Sequence, residues 1–380
     1  MKIDLQDNHT FRQLFTLPFR RFFGALVIML ITMPAIQCQE PRIDFENYDP
    51  PSSLVVPEHP VKRAKFPFID VHNHQYNMVS SMDQLVKDMD QLNLQVMVNL
   101  SGGSGSSLKR MAEQAKVKFP GRFIIFANLN YSGIGSKEWT ASAVQQLEED
   151  VRNGANGLKI FKDLGFSVKD KEGNRVTVDD PRLDPIWDKC AELKIPVLIH
   201  TADPRQFWQP IDERNERLLE LHTHPGRRRS DDQPAPWLTL INEQHRMFKK
   251  HPGTIFIAAH FGWYANDLQH LDSLLTEMPN VLVEFGAVIA EIGRQPRSAN
   301  AFFTKYQDRI LFGKDSWVPA EYTTYFRVLE TTDEYFPYHK KYHAFWRMYG
   351  LGLSDEILKK IYYKNAIRII PQIDPKKFTD

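Results

Sequence analysis

The chain has 380 residues, of which 42% are hydrophobic and 25% charged; this composition excludes disorder and allows one large domain or two ordinary ones. Lys plus Arg number 48 against 47 Asp plus Glu, and without a basic helix or zinc-finger spacing nothing points to a nucleic-acid partner. The two cysteines, Cys38 and Cys190, exclude a disulfide framework and a cysteine-rich zinc site, so any metal must be held by histidines and carboxylates.

The first predicted element is a targeting segment. Arg20 and Arg21 precede the apolar run FFGALVIMLITMPAIQC, which ends at Cys38 and is short for a membrane span. A cysteine directly after such a core resembles a bacterial lipoprotein processing site. Gln37 departs from that pattern, which has a small residue there, and Asp4 and Asp7 make the leader less basic than usual. The alternative is an uncleaved signal anchor. Either reading places the body outside the cytoplasm, touching a membrane only through residues 1–38. Residues 39–65, rich in proline and polar groups, read as a tether.

From residue 66 short β-rich runs alternate with helical patterns. FPFIDVH is a strand, 82–92 helical, LQVMVNL a strand and SSLKRMAEQAKVKF helical. RFIIFANLN, GLKIF and IPVLIH are strands, each preceded by a helical stretch, at 106–119, 139–152 and LDPIWDKCAELK. TIFIAAH, NVLVEFG and RILFGKD follow the helical stretches 237–250, 265–277 and 298–306, and further helical segments run to the end. The apolar runs lack alternation, as parallel strands buried on both faces do. Eight βα units in residues 66–380 predict an α/β fold, a (β/α)8 TIM barrel with extra C-terminal helices. A doubly wound open sheet is the alternative, but it gives no reason for ligands spread over first, middle and last strands.

Barrel chemistry sits at the C-terminal ends of strands. Those ends carry His72 and His74 after the first strand, His200 after the fifth, His260 after the sixth and Asp315 after the eighth. His72 and His74 alternate on one strand and so share a face. These five side chains converge only if the sheet closes, and four imidazoles with a carboxylate at one barrel mouth point to a metal ion.

The pieces FIDVHNH, IPVLIHTADP, TIFIAAHFGW, RILFGKDSW and ILKKIYYKNAIRII, in this order from Phe66 to Pro371, resemble the amidohydrolase superfamily, in its branch related to aminocarboxymuconate-semialdehyde decarboxylase. The resemblance implies a barrel enzyme with one divalent ion, usually zinc. By motif position it makes His72, His74, His200 and Asp315 the metal ligands and His260 the catalytic histidine, with Asp315 also shuttling a proton. Gly313-Lys314-Asp315 departs from the usual Gly-Ser-Asp or Gly-Thr-Asp, and Lys314 is expected on the strand's other face. Three imidazoles and a carboxylate suit zinc, which lowers the pKa of water toward about 7, and His260 is placed to orient or deprotonate that water. Asp70, two residues before His72, is either a partner of a ligand histidine or a structural carboxylate of the barrel.

Some superfamily members carry a carboxylated lysine on the fourth strand that bridges two metals; Lys159 or Lys162 stands there. The preferred reading is one ion, with Lys159 meeting substrate or an acidic neighbour. The connection TADPRQFWQPIDERNERLLELHTHPGRRRSDDQPAPW, far longer than a usual βα loop, is expected to build the substrate site. Its Phe207 and Trp208 supply walls and Arg205, Arg214 and Arg217 supply forks for carboxylates; Arg294 is a further candidate at the mouth. Arg227 to Arg229 are expected to pair with the acids that follow them, and His222 and His224 to lie on the surface.

The expected activity is metal-dependent hydrolysis of an ester, lactone or amide bond in a small, carboxylated substrate. The alternatives are decarboxylation of an unsaturated acid with the same ligands, and a binding protein that kept the barrel without activity. Small-molecule substrate is the expected partner, and a homodimer stands as an open alternative to a monomer.

Overall fold

The computed structural model describes residues 44, 48–340 and 346–378; the apolar N-terminal run and Cys38 lie outside the described residues. Every element named below falls in the compact unit Phe45–Asp380. Strands β1 (Phe68–Asn73), β2 (Leu94–Asn99) and β3 (Phe123–Ile125 and Ala127–Asn128) are followed by β4 (Leu158–Ile160) and β5 (Val197–Ile199). Then come β6 (Phe256–Ala258), β7 (Val281–Glu284) and β8 (Ile310–Leu311). Each pairs with the next in parallel. The two pieces of β3 flank Phe126, whose N–H still reaches the Asn99 carbonyl of β2 at 3.0 Å.

The sheet closes on itself. Val71 N–H donates to the Phe312 carbonyl at 2.9 Å, and Asp315 N–H to the His72 carbonyl at 2.7 Å. Phe68, Phe312, Phe326 and Tyr362 pack across this seam, with Phe68 ring centroids 4.8, 5.3 and 5.8 Å from the other three. The result is the expected (β/α)8 barrel. All six residues of β1, FIDVHN, are buried, the apolar Phe68, Ile69 and Val71 as expected of a parallel strand covered on both faces and the polar Asp70, His72 and Asn73 through the partners described below.

The surrounding helices are amphipathic. In α1 (Met78–Leu92), Met78, Met82, Leu85, Val86, Met89 and Leu92 face the sheet, the spacing of one helical stripe. The other long helices are α2 (Gly105–Lys118), α3 (Trp139–Arg152), α4 (Asp184–Glu192), α5 (Trp237–Lys250), α6 (Leu268–Glu277), α7 (Pro296–Lys305) and α8 (Pro319–Glu330). Two short helices, α9 (Asp355–Lys359) and α10 (Asn365–Ile369), are joined by a π turn over Lys360–Lys364. That turn leaves the Ile361 carbonyl to accept the Phe312 N–H at 3.1 Å, and Asn365 Nδ2 donates to the Ile310 carbonyl at 2.8 Å. The C-terminal motif therefore holds the last, very short strand in place. Residues 48–65 contain no helix or strand, but His59 is fastened to Asp333 through both its backbone N–H (2.7 Å) and Nδ1 (2.6 Å).

Asp70 locks the seam. It accepts the backbone N–H of His72 (3.0 Å) and of Lys314 (3.1 Å), Asn73 Nδ2 (3.0 Å) and the Tyr322 hydroxyl (2.6 Å). Of the two roles open to it, the structure shows the structural one, since no imidazole touches it. Burial lifts its carboxyl to about 6, which still leaves it ionised at neutral pH, as four donors require. Asp70→Asn cannot accept from all four and should lose about 2–4 kcal/mol of stability at pH 7.5. Urea denaturation giving the wild-type midpoint would show that closure does not depend on the carboxylate.

Candidate metal centre and active site

β1 ends by turning His72 and His74 toward the axis. Their Nε2 atoms lie 3.2 Å apart, and Asp315 Oδ1 lies 3.4 Å from the first and 3.6 Å from the second. The other nitrogen of each ring is committed. His72 Nδ1–H donates to the Glu284 carboxylate at 2.8 Å, and His74 Nδ1 is hydrogen-bonded to the Ser101 hydroxyl at 2.9 Å. With its Nδ1 protonated, His72 presents a bare Nε2 lone pair, and His74 does the same when Ser101 accepts from its Nδ1. Two imidazole nitrogens and a carboxylate oxygen thus face one point. Ligands about 2.0–2.1 Å from a tetrahedral ion are about 3.3–3.4 Å from one another, which these three separations match.

His200 stands at the side of this triangle. Its Nε2 is buried and has no hydrogen-bond partner among the described residues, while its Nδ1 lies 3.4 Å from His260 Nε2. Among the described residues two sets of possible ligand atoms cluster tightly, His72 with His74 and Asp315, and His72 with His260 and Glu284; in the second, His72 Nδ1 and Glu284 are already hydrogen-bonded to each other, and His200 lies outside both. Burial first, then the positive charge of Lys159, pushes the His74 imidazole down to about 4 and His72 well below its ordinary value. Burial and the neighbouring His260 and Lys159 do the same to His200. These rings are neutral at pH 7, the state a metal needs.

His260 corrects one expectation. The strand expected over TIFIAAH stops at Ala258, and the backbone turns left-handed, with φ of 58° at His260, 54° at Phe261 and 62° at Trp263. For non-glycine residues this conformation costs on the order of 1 kcal/mol each and needs outside support. Glu284 supplies it by accepting the His260 N–H at 2.8 Å, and the Gly286 carbonyl accepts from His260 Nδ1 at 2.7 Å. His260 Nε2 is left facing the site.

Glu284 is the residue that sequence reasoning missed. Fully buried, it joins His72, His260 and, at 2.6 Å, the Gly286 N–H. The available signal was a lone acid inside the apolar run NVLVEFG. The glycine before Lys314 follows from it, since a Cβ at Gly313 would lie 2.2 Å from Glu284 Oε2. Lys314 itself points to Glu321 at 2.6 Å.

Above the cluster opens a cavity of about 200 Å³. Phe207 and Arg217 line it, as does Trp263, which had no place in the sequence reading. Four expected substrate contacts are turned elsewhere, three of them on the long loop, which folds on itself, and Arg294 after β7. Arg205 lies over the Trp237 ring, and the Trp208 indole N–H donates to the Ala235 carbonyl at 2.9 Å. Arg214 is exposed beside Glu213, and Arg294 stacks on Trp346 at 3.8 Å and pairs with Glu216. Arg227 and Arg229 line the cavity, where they pair with Glu220 and with Asp203, acids that precede them in the chain. His222 and His224 are exposed. Lys159 is fully buried near the ligand cluster, and its Nζ has no hydrogen-bond partner among the described residues; burial brings it down to about 8.

The amidohydrolase family model matches residues 69–372. Among solved structures, a 2,6-dihydroxybenzoate decarboxylase from Rhizobium is similar at 15% identity and TM-score 0.51, covering 80% of this chain and 99% of that one. A dihydroxybenzoic acid decarboxylase from Polaromonas, with bound manganese and the inhibitor 2-nitroresorcinol, is 15% identical at TM-score 0.52 and covers 82% and 99%. A putative amidohydrolase from Staphylococcus aureus is 15% identical at TM-score 0.50, covering 80% and 99%. At this identity the likeness shows the fold. No curated protein matches the chain. With the family model running from β1 through the C-terminal helices, over the same strand ends that gather the imidazoles and Asp315, the chain belongs to the amidohydrolase family.

Proposed function

We propose that this enzyme hydrolyses an ester, lactone or amide bond of a small carboxylated substrate with one divalent ion, zinc, held by His72, His74 and Asp315 with His200 as the fourth ligand. The family is metal-dependent, and the observation that carries the reading is the convergence of two imidazole nitrogens and a carboxylate oxygen at 3.2–3.6 Å. Such an ion, when bound, supplies Lewis acidity that polarises a substrate oxygen and makes water more acidic.

The protein's own groups do the rest. Glu284 holds the His72 ring in the tautomer that presents Nε2. The Gly286 carbonyl keeps the proton of His260 on Nδ1, so Nε2 can take a proton from the attacking water and return it to the leaving group. Lys159, a buried ammonium without a partner, is placed to offset negative charge that grows on the substrate. Phe207 and Trp263 wall the cavity and supply apolar surface for the substrate.

Decarboxylation is the second reading. It is favoured by the same buried ammonium, which would hold a carboxylate close to the ligand cluster, and by the activity that names two of the similar structures. Elemental analysis of purified protein is expected to find about one zinc or similar ion per chain, and His72→Ala to lose it. Metal-free protein whose stability and activity His72→Ala leaves unchanged would end the metal reading. Acid release from lactones against carbon dioxide release from unsaturated acids separates the two reactions.

A further inference from the structure

The cavity above the ligand cluster carries more positive charge than the proposed chemistry uses. Two carboxylates organise its wall. Asp203, 6% exposed, takes Lys162 Nζ on Oδ1 at 2.6 Å, and Arg229 on Oδ2 through Nε at 3.0 Å and Nη2 at 2.8 Å. Glu220, 5% exposed, takes Arg217 at 2.8 Å and Arg227. Arg217 also pairs with the buried Glu291, so Arg217 and Arg227 are balanced by two acids, whereas Asp203 alone faces two cations; Lys340 lines the same cavity, with no hydrogen bond or ion pair to another described residue.

These cations differ in what they can still do. Arg229 is a fixed prop, its Nη1 tied to the carbonyls of Gly226 and Arg228, each at 2.9 Å. Lys162 spends one N–H on Asp203 and keeps its side chain 38% exposed, so donors remain for a ligand. It lines the same cavity as His200, His260 and Asp315. Lys162 follows β4, Asp203 follows β5, and Arg229 comes from the far end of the loop at 201–237. Three separate stretches of chain thus converge on one wall. A cation excess held this way in a half-enclosed space is a standing field for an anion.

We infer that Lys162 and Lys340 form a second anion subsite in this cavity, so that the substrate carries two anionic groups, one at the ligand cluster and one here. The inference rests on the proposed function for the first group and adds the second. A carboxylate or a phosphate supplies the required oxygens, accepting charge-assisted hydrogen bonds from both ammonium groups.

The test is calorimetric and needs no natural substrate. Zinc-loaded full-length protein is titrated with butyrate, with succinate, glutarate and adipate, and with 3-phosphonopropionate. The best dicarboxylate should bind about 10-fold or more tighter than butyrate, since two charge-assisted contacts are added, and the preference should shrink as salt is raised. The Lys162→Gln/Lys340→Gln double variant should bring the preference down to about 2-fold or less while leaving butyrate unchanged. Arg214→Gln, at an exposed position on the same loop, should keep it. Should the double variant fold poorly, Lys340→Gln alone, which removes a group unpaired among the described residues, should still reduce the ratio. The phosphonate against the best dicarboxylate tells which group the subsite prefers.

Dicarboxylates binding no tighter than butyrate in the wild type, or a preference that survives the double variant, would overturn the subsite. A lysine-dependent gain for dianions while butyrate itself fails to bind supports the subsite and removes the carboxylate assigned to the ligand cluster. No binding by any probe removes both.

Discussion

His260→Ala is expected to keep most of its zinc while turnover of a surrogate ester or lactone falls by roughly 10²-fold or more, the usual scale for a positioned acid or base; His200→Ala is expected to lose the zinc. The difference follows from what each ring has left to offer. His260 spends Nδ1 on the Gly286 carbonyl, and its Nε2 lies 3.4 Å from the neighbouring His200 ring. Its place is held by a left-handed backbone that Glu284 supports, an arrangement costly to maintain for a residue of no consequence. His200, by contrast, has a buried Nε2 with nothing to bond, and an unpartnered buried acceptor is stable only if the functional state fills it. Metal content by elemental analysis and turnover measured on the same preparations separate the roles. If His260→Ala strips the zinc as completely as His200→Ala, His260 is a ligand. If it keeps both zinc and full activity, Asp315 alone handles the proton.

Glu284→Gln should lower zinc affinity about 10- to 100-fold, the range seen when the hydrogen-bond partner of a ligand histidine is altered. The carboxylate accepts three donors on two oxygens, from His72 Nδ1, the His260 N–H and the Gly286 N–H. An amide puts its NH₂ against at least one of them in a fully buried site, a donor facing a donor, at a cost of about 1–3 kcal/mol. Either the His72 ring rotates and withdraws Nε2 from Asp315, or the left-handed turn at His260 loosens. The second outcome lowers turnover along with affinity, and competition with a chelating dye reads the affinity directly. Gly313→Ala is expected to behave alike, because its new Cβ would press on Glu284 Oε2. Wild-type affinity in both variants would show that His72 is oriented by β1 alone.

The strand pattern, the closure into a barrel and the convergence of His72, His74 and Asp315 could all be read along the chain. Each depends on local periodicity or on a strand end, and in a closed parallel barrel every strand end faces the same mouth. Asp70 was visible but not its role, since its four donors come from β1, the turn after β8 and α8. Glu284 was hidden because a single acid in a buried run gains its meaning from His72 on β1, two strands away across the closed seam, and from the turn at His260. The loop from 201 to 237 was misread most. A run such as Arg227-Arg228-Arg229 followed by Asp231 and Asp232 looks self-neutralising when only neighbours in sequence are considered. In the folded chain Arg229 instead meets Asp203, 26 residues earlier, while Arg214 stays in solvent. Periodicity and strand ends are short-range properties that a sequence determines by itself; which charge in an irregular loop meets which partner is a long-range contact, decided only when the barrel brings separate stretches of chain to one wall.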